Sequence, residues 1–211
     1  MSPQIRVAIC LIICLLAPGI HNATAQRAQA GAAVRFDIAP ETRASYHVRE
    51  QLLGFDLPND AVGVTSDVFG GLTLSADGAI GSGSRISVDL RTLKSDQEQR
   101  DTFLRDRTIQ TNRFPTADFV PRRIEGLSMP LPTKGSSTFK LIGDMTAHGV
   151  TAELSWTLEL TFDGDRVTGK AKTSFPFKTF NLTIPRLPGI LSLDDNIRLE
   201  LDLALRRAAT G

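Results

Sequence analysis

The chain has 211 residues, with 24 Lys and Arg against 23 Asp and Glu, for a formal net charge of +1. So even a balance excludes nucleic acid or an anionic membrane as the main partner, because both call for a basic excess. The length suits one domain large enough to bury its own core.

Residues 1–25 read as a secretory signal peptide. Arg6 supplies the positive start, and Val7 to Ala17 form an apolar run of 11 residues that Pro18 and Gly19 break. Ala23-Thr24-Ala25 places small residues at the cleavage positions, so the expected cut follows Ala25 and the mature protein is periplasmic or secreted. A bilayer span needs ~20 apolar residues, which leaves an uncleaved anchor or a buried helix as the less suited alternatives. Both cysteines, Cys10 and Cys14, leave with this segment, and Ile9 and Ile13 before them argue against lipid attachment. A mature chain without cysteine has no disulfide, so its stability must come from a core. Residues 26–33 (QRAQAGAA) are expected to be a mobile tether.

A single β domain is expected over residues 34–207, because alternation with period two dominates from Val34 onward. Arg85 to Thr92 sets Ile86, Val88 and Leu90 against Arg85, Ser87, Asp89 and Arg91. Asp96 to Thr108 breaks the pattern and reads as a short helix, capped by Ser95 or Asp96, with Glu98 in capping-box reach of Ser95. Its Phe103 and Leu104 are expected to point inward and to close one mouth, which makes this segment a candidate gate. Further on, Phe139, Leu141, Gly143 and Met145 share a face. In Glu153 to Phe162, Leu154, Trp156, Leu158, Leu160 and Phe162 oppose Glu153, Ser155, Thr157, Glu159 and Thr161. Val167, Gly169, Ala171, Thr173 and Phe175 follow on a face of smaller residues. Ile197, Leu199, Leu201, Leu203 and Leu205 then oppose Arg198, Glu200, Asp202, Ala204 and Arg206.

Turn signals at Asp77-Gly78, at Asp163-Gly164-Asp165 and over Pro130 to Ser137 suit hairpins. Long antiparallel strands in series favour a closed barrel or a sandwich. An outer-membrane barrel would turn the charged faces into its lumen, a costly lining for a small barrel. An apolar interior with a charged exterior costs less, so a soluble all-β protein without stable membrane insertion is expected. Gly143, Gly169 and Ala171 on inward faces would leave room for a ligand.

Several segments together resemble the YceI-like family of exported polyisoprenoid-binding proteins. They are Phe36-Asp37-Ile38-Ala39-Pro40, then Ala61-Val62-Gly63 with Val68-Phe69-Gly70-Gly71 as the next strand, and Ser84 to Leu104 with Arg100-Asp101 at the helix start. Arg113 to Phe119, Leu141 to Thr151 and Phe177-Lys178-Thr179-Phe180 complete the set. The resemblance covers about Phe36 to Arg206. It departs at Phe103-Leu104, where the family often carries His, and at Met145, where Leu is usual. It implies an eight-stranded antiparallel lipocalin-like barrel with one short helix and a long apolar tunnel.

On that reading the ligand-lining candidates are Val88, Leu90, Phe103 and Leu104, then Phe119, Phe139, Leu141 and Met145. From the later strands come Trp156, Leu158, Leu160 and Phe175, and near the end Phe180, Leu199 and Leu201. Each is equally an ordinary core residue by type. Catalysis has little support. Only His47 and His148 remain after cleavage, so no metal site and no cofactor are expected. His148 reads as a surface-turn residue, and Arg100 with Asp101 as a helix-start ion pair worth little.

The expected function is therefore an exported soluble carrier, not an enzyme, that holds a polyisoprenoid, quinone or fatty-acyl molecule. The alternative is a structural or protein-interaction barrel whose interior is filled with side chains. A lipid hydrolase or isomerase is a weaker third reading, and a homodimer stays open.

Overall fold

The computed structural model describes residues 33–186 and 189–208, so the expected signal peptide and most of the expected tether lie outside the described residues. Ten strands form one antiparallel sheet: β1 (Val34–Ile38), β2 (Arg43–Leu52), β3 (Asn59–Thr65), β4 (Val68–Leu74), β5 (Arg85–Asp89), β6 (Thr116–Glu125), β7 (Lys134–Ala147), β8 (Val150–Asp163), β9 (Arg166–Phe175) and β10 (Ile190–Arg207). Their order is β1-β4-β5-β6-β7-β8-β9-β10-β2-β3, and β1 pairs back onto β10. That pairing, Phe36 to Arg207 and Ile38 to Leu205, closes eight strands into the expected barrel. Closure leaves the ring no free edge along these pairings.

Strand β10, of 18 residues, makes this possible. Its early part pairs with β2 and its last residues pair with β1, so β1 and β2 act as one bent strand broken at Ala39–Thr42. Thr42 secures the bend: its hydroxyl donates to the Ala204 carbonyl at 2.9 Å and accepts from the Ala204 amide at 3.1 Å. The bend also covers Ala204, which is buried although its position in the alternation places it on the wet face.

Faces otherwise follow the period. In β8 the even residues from Leu154 to Phe162 are all buried and the odd ones all exposed. Charges decorate the outside as cross-strand pairs such as Lys170–Asp202 at 2.6 Å, Arg85–Asp118 at 3.0 Å and Arg198–Asp60 at 2.5 Å. Such exposed pairs hold register more than they add stability, at ~0–1 kcal/mol each.

Local corrections have clear causes. The Ala61-to-Gly71 stretch is two strands, because Thr65 folds back to accept the Asp67 amide at 3.0 Å and the chain turns there. The loop before β7 is shorter than Pro130 to Ser137, since pairing already starts at Lys134 with Asp163. Helix α1 (Glu98–Phe103) starts after Gln97, not at Ser95 or Asp96, and Gln97 makes no side-chain cap. Ser95 instead donates its amide and its hydroxyl to Asp101 Oδ1, at 2.9 and 2.7 Å. After α1 the chain widens into a π turn over Leu104–Thr108, with the Ile109 amide donating to the Leu104 carbonyl at 2.8 Å.

Gly143 and Gly169 do not make room. A Cβ on Gly143 would lie 2.3 Å from the Val120 carbonyl oxygen, and one on Gly169 2.0 Å from that of Glu159. Both mark close backbone approach between neighbouring strands. Opposite Gly143 the β6–β7 register slips between Pro121 and Arg123, which bends the wall there.

Candidate ligand-binding cavity

The barrel interior is divided. The end formed by the start of β7 and the end of β8 is solid: Phe36, Leu74, Phe139, Leu160, Phe162 and Val167 are each at most 5% exposed and pack in one cluster. Toward the β7–β8 turn the interior opens into a cavity of about 240 Å³. A single water needs about 10–15 Å³, so this is room for a ligand and not a packing defect.

Each wall strand contributes through its inward face. Val88 on β5, Phe119 on β6, Leu141 and Met145 on β7, Trp156 and Leu158 on β8, and Phe175 on β9 line the space. Leu199 and Leu201 on β10 complete the wall. Leu90 reaches in from the short turn after β5, and Phe180 from the turn Phe177–Phe180 after β9. Phe103 and Leu104 cover it from α1 and the π turn. Phe139 and Leu160 do not line it, because they belong to the packed end. Of the small residues, Ala171 lines the cavity, and its short side chain does leave space.

Other wall residues were not singled out by alternation, among them Ile38, Val48, Ile109, Phe177, Ile190 and Leu193. Tyr46 sits on a strand that carried no clear apolar face, and its ring lies over Gly63, where a Cβ would come within 2.2 Å. Only glycine at that site lets the ring lie flat against β3.

Polar groups reach the cavity at a few points. Glu50, 1% exposed, accepts from Arg100 at 2.9 Å, and both line the space. Arg100 also pairs with Asp96 at 2.6 Å. The expected Arg100–Asp101 pair is therefore replaced: Arg100 ties α1 to β2, while Asp101 serves Ser95. The Tyr46 phenol oxygen is buried without a hydrogen-bond partner among the described residues. Burial pushes its pKa above the ordinary value, partly opposed by the Arg100 charge and assisted by Asp101, Glu50 and Asp96, so it stays protonated.

His148 stands in the β7–β8 turn as expected, but it is half-buried and its ring lines the cavity. Its Nδ1 lies 3.0 Å from the Phe180 carbonyl oxygen, and its ring meets Phe114 edge-on with centroids 4.8 Å apart. A carbonyl only accepts, so Nδ1 carries the proton. In the neutral ring Nε2 then presents a buried lone pair with no partner among the described residues. The Trp156 indole N–H is likewise buried and unpaired, with the ring edge-on to Phe119 at 6.1 Å. No cluster of three or more His, Cys, Asp or Glu able to hold a metal occurs among the described residues. Nor is any helix there long and apolar enough to cross a membrane.

A family model described as the YceI-like domain matches residues 35–205. No curated protein matches the chain. Among solved structures, a polyisoprenoid binding domain from Saccharophagus degradans implicated in plant cell wall breakdown is similar at 12% identity and TM-score 0.63, with 82% of this chain and 98% of that one covered. BcnA from Burkholderia cenocepacia is similar at 14% identity and TM-score 0.60, covering 82% and 100%. The Campylobacter jejuni YceI protein follows at 13% identity and TM-score 0.56, covering 76% and 91%. At such identities the likeness is one of fold.

Proposed function

Because the chain belongs to the YceI-like domain family, we propose that it is a carrier that sequesters one long apolar molecule in the open half of its barrel. The observation that carries this reading is the cavity itself, walled by aliphatic and aromatic side chains from every part of the barrel. Each buried CH₂ of a ligand contributes ~0.8 kcal/mol, so a tail binds tightly with few polar contacts. A polyisoprenoid, quinone or fatty-acyl molecule has the required shape. The similarity to a polyisoprenoid binding domain supports the same class.

Export belongs to the proposal. Its support is the leader read in residues 1–25, with Arg6, the apolar run and Ala23-Thr24-Ala25. Binding without chemistry belongs to it too. The polar groups at the cavity are a phenol, an indole, one imidazole, the Glu50–Arg100 ion pair, two hydroxyls and two further carboxylates. Of the hydroxyls, Ser45 lies 3.0 Å from His47 Nε2, but His47 does not line the cavity.

A filled barrel serving only as a structural or docking module is the second reading, and the packed end around Phe139 and Phe162 favours it in part. The two separate on the contents of the protein. Purified from cells that export it, then unfolded and extracted into organic solvent, the carrier releases a lipid seen by mass spectrometry. An empty extract, together with no uptake of an added isoprenoid, would leave the structural module.

A further inference from the structure

We infer that the molecule held here carries an uncharged head that accepts a hydrogen bond, such as a ketone, quinone or amide carbonyl, and that Tyr46 donates to it at the cavity rim. The inference rests on the carrier reading and specifies its ligand.

Two observations join. The first is the unpaired phenol. Tyr46 Oη is buried, its residue lines the cavity, it has no partner among the described residues, and the ring is seated against Gly63, so it cannot simply swing away. A buried hydroxyl without a partner is costly, and a ligand acceptor removes that cost. Burial keeps the phenol protonated, so it arrives as a donor.

The second is the charge around it. The ionised groups that act on Tyr46 are Arg100, Asp101, Glu50 and Asp96: one cation against three carboxylates. Arg100 is engaged twice, by Glu50 at 2.9 Å and by Asp96 at 2.6 Å. Among the described residues that line the cavity no other Lys or Arg is present to meet a phosphate or a carboxylate. An anionic head would be desolvated there without a free cation to compensate it.

Orientation follows from the packed end. The blind end is closed by apolar side chains, so the tail enters first and the head stays near Glu50 and Arg100. The other unpaired groups give the contrast. Trp156 Nε1 also donates, but among the wall residues alongside Leu141 and Leu158, where the tail would run. In the neutral ring, His148 Nε2 offers a lone pair and does not donate to an acceptor.

The test uses ligands sharing a geranylgeranyl-type tail: geranylgeranylacetone, geranylgeranoic acid, geranylgeranyl phosphate, and phytane as the headless hydrocarbon. Affinities are read at neutral pH by calorimetry on the cysteine-free exported protein and on Tyr46→Phe and Trp156→Phe, each first shown to melt cooperatively. The expected result is that the ketone binds at least roughly tenfold more tightly than acid or phosphate, about the worth of one hydrogen bond or one misplaced charge. Tyr46→Phe should lose most of the ketone's advantage over phytane and leave phytane itself unchanged. Acid or phosphate binding as tightly as the ketone overturns the inference while leaving the carrier intact. So does a ketone advantage that survives Tyr46→Phe and disappears in Trp156→Phe. If neither ketone nor phytane binds, the carrier reading fails and this inference falls with it.

Discussion

Glu50 on β2 and Arg100 in α1 meet at 2.9 Å with 1% and 14% of their side chains exposed, so a wall strand grips the helix that covers its own cavity. Residues 50 positions apart thus join the barrel to its lid. Phe103 and Leu104, three and four residues after Arg100, complete the cover.

Removing one member of a buried ion pair leaves the other charge uncompensated. Glu50→Ala is expected to cost about 3 kcal/mol, at the low end for such losses because Arg100 keeps Asp96. The paired replacement Glu50→Leu with Arg100→Met should recover most of that. Urea unfolding gives the stabilities. Stopped-flow release of a fluorescent isoprenoid should be faster in Glu50→Ala, and unchanged release would show that the pair does not restrain the lid.

The packed end and the open end should respond oppositely to substitution. Phe139→Ala removes a core ring and should cost about 3–5 kcal/mol, with ligand affinity little changed, because Phe139 does not touch the cavity. Ala171→Phe adds a ring where the cavity has space, so it should keep most of the stability and abolish binding. Calorimetric melts and ligand titrations on the same two proteins check both halves. A Phe139→Ala protein that loses affinity in proportion to Ala171→Phe would mean the interior is continuous.

Acid stability should depend on Asp60. The hydrogen bond from Arg198 holds the Asp60 carboxyl below its ordinary pKa, against a smaller opposing effect of burial, and the Arg198 and Arg49 charges assist. A depressed folded pKa gives stabilisation that is fully present above the unfolded value of about 3.9 and lost as pH falls through the folded value. Asp60→Asn should therefore lose stability near neutral pH and show a flatter decline below about pH 4. Urea midpoints across an acid pH series measure it, and parallel curves for the two proteins would remove Asp60 from the account.

The barrel was legible wherever one face alone decides the strand. Leu154 to Phe162 alternate without exception, and so does their burial. Most of the cavity wall followed from the same rule, since inward on a closed barrel is inward everywhere. What alternation cannot encode is depth along the axis. Phe139 and Leu141 share a face, yet one plugs the barrel and the other lines the space, because register against β6 and β8 sets their level. Glycine was ambiguous for a similar reason: Gly143 and Gly169 serve strand approach and only Ala171 leaves volume. The Glu50–Arg100 pair left no local signal, since its partners meet only after the helix folds back onto β2.

The central claim is that the open half of the barrel holds an apolar tail, and Trp156, the single tryptophan of the chain, stands in its wall. The most direct measurement is Trp156 fluorescence during titration with straight-chain methyl ketones of increasing length. Affinity should rise roughly fourfold per added methylene, the equivalent of ~0.8 kcal/mol for each CH₂ buried, and then level off once the tail reaches the Phe139 end. No change in Trp156 emission at any length, or an affinity independent of length, would contradict it.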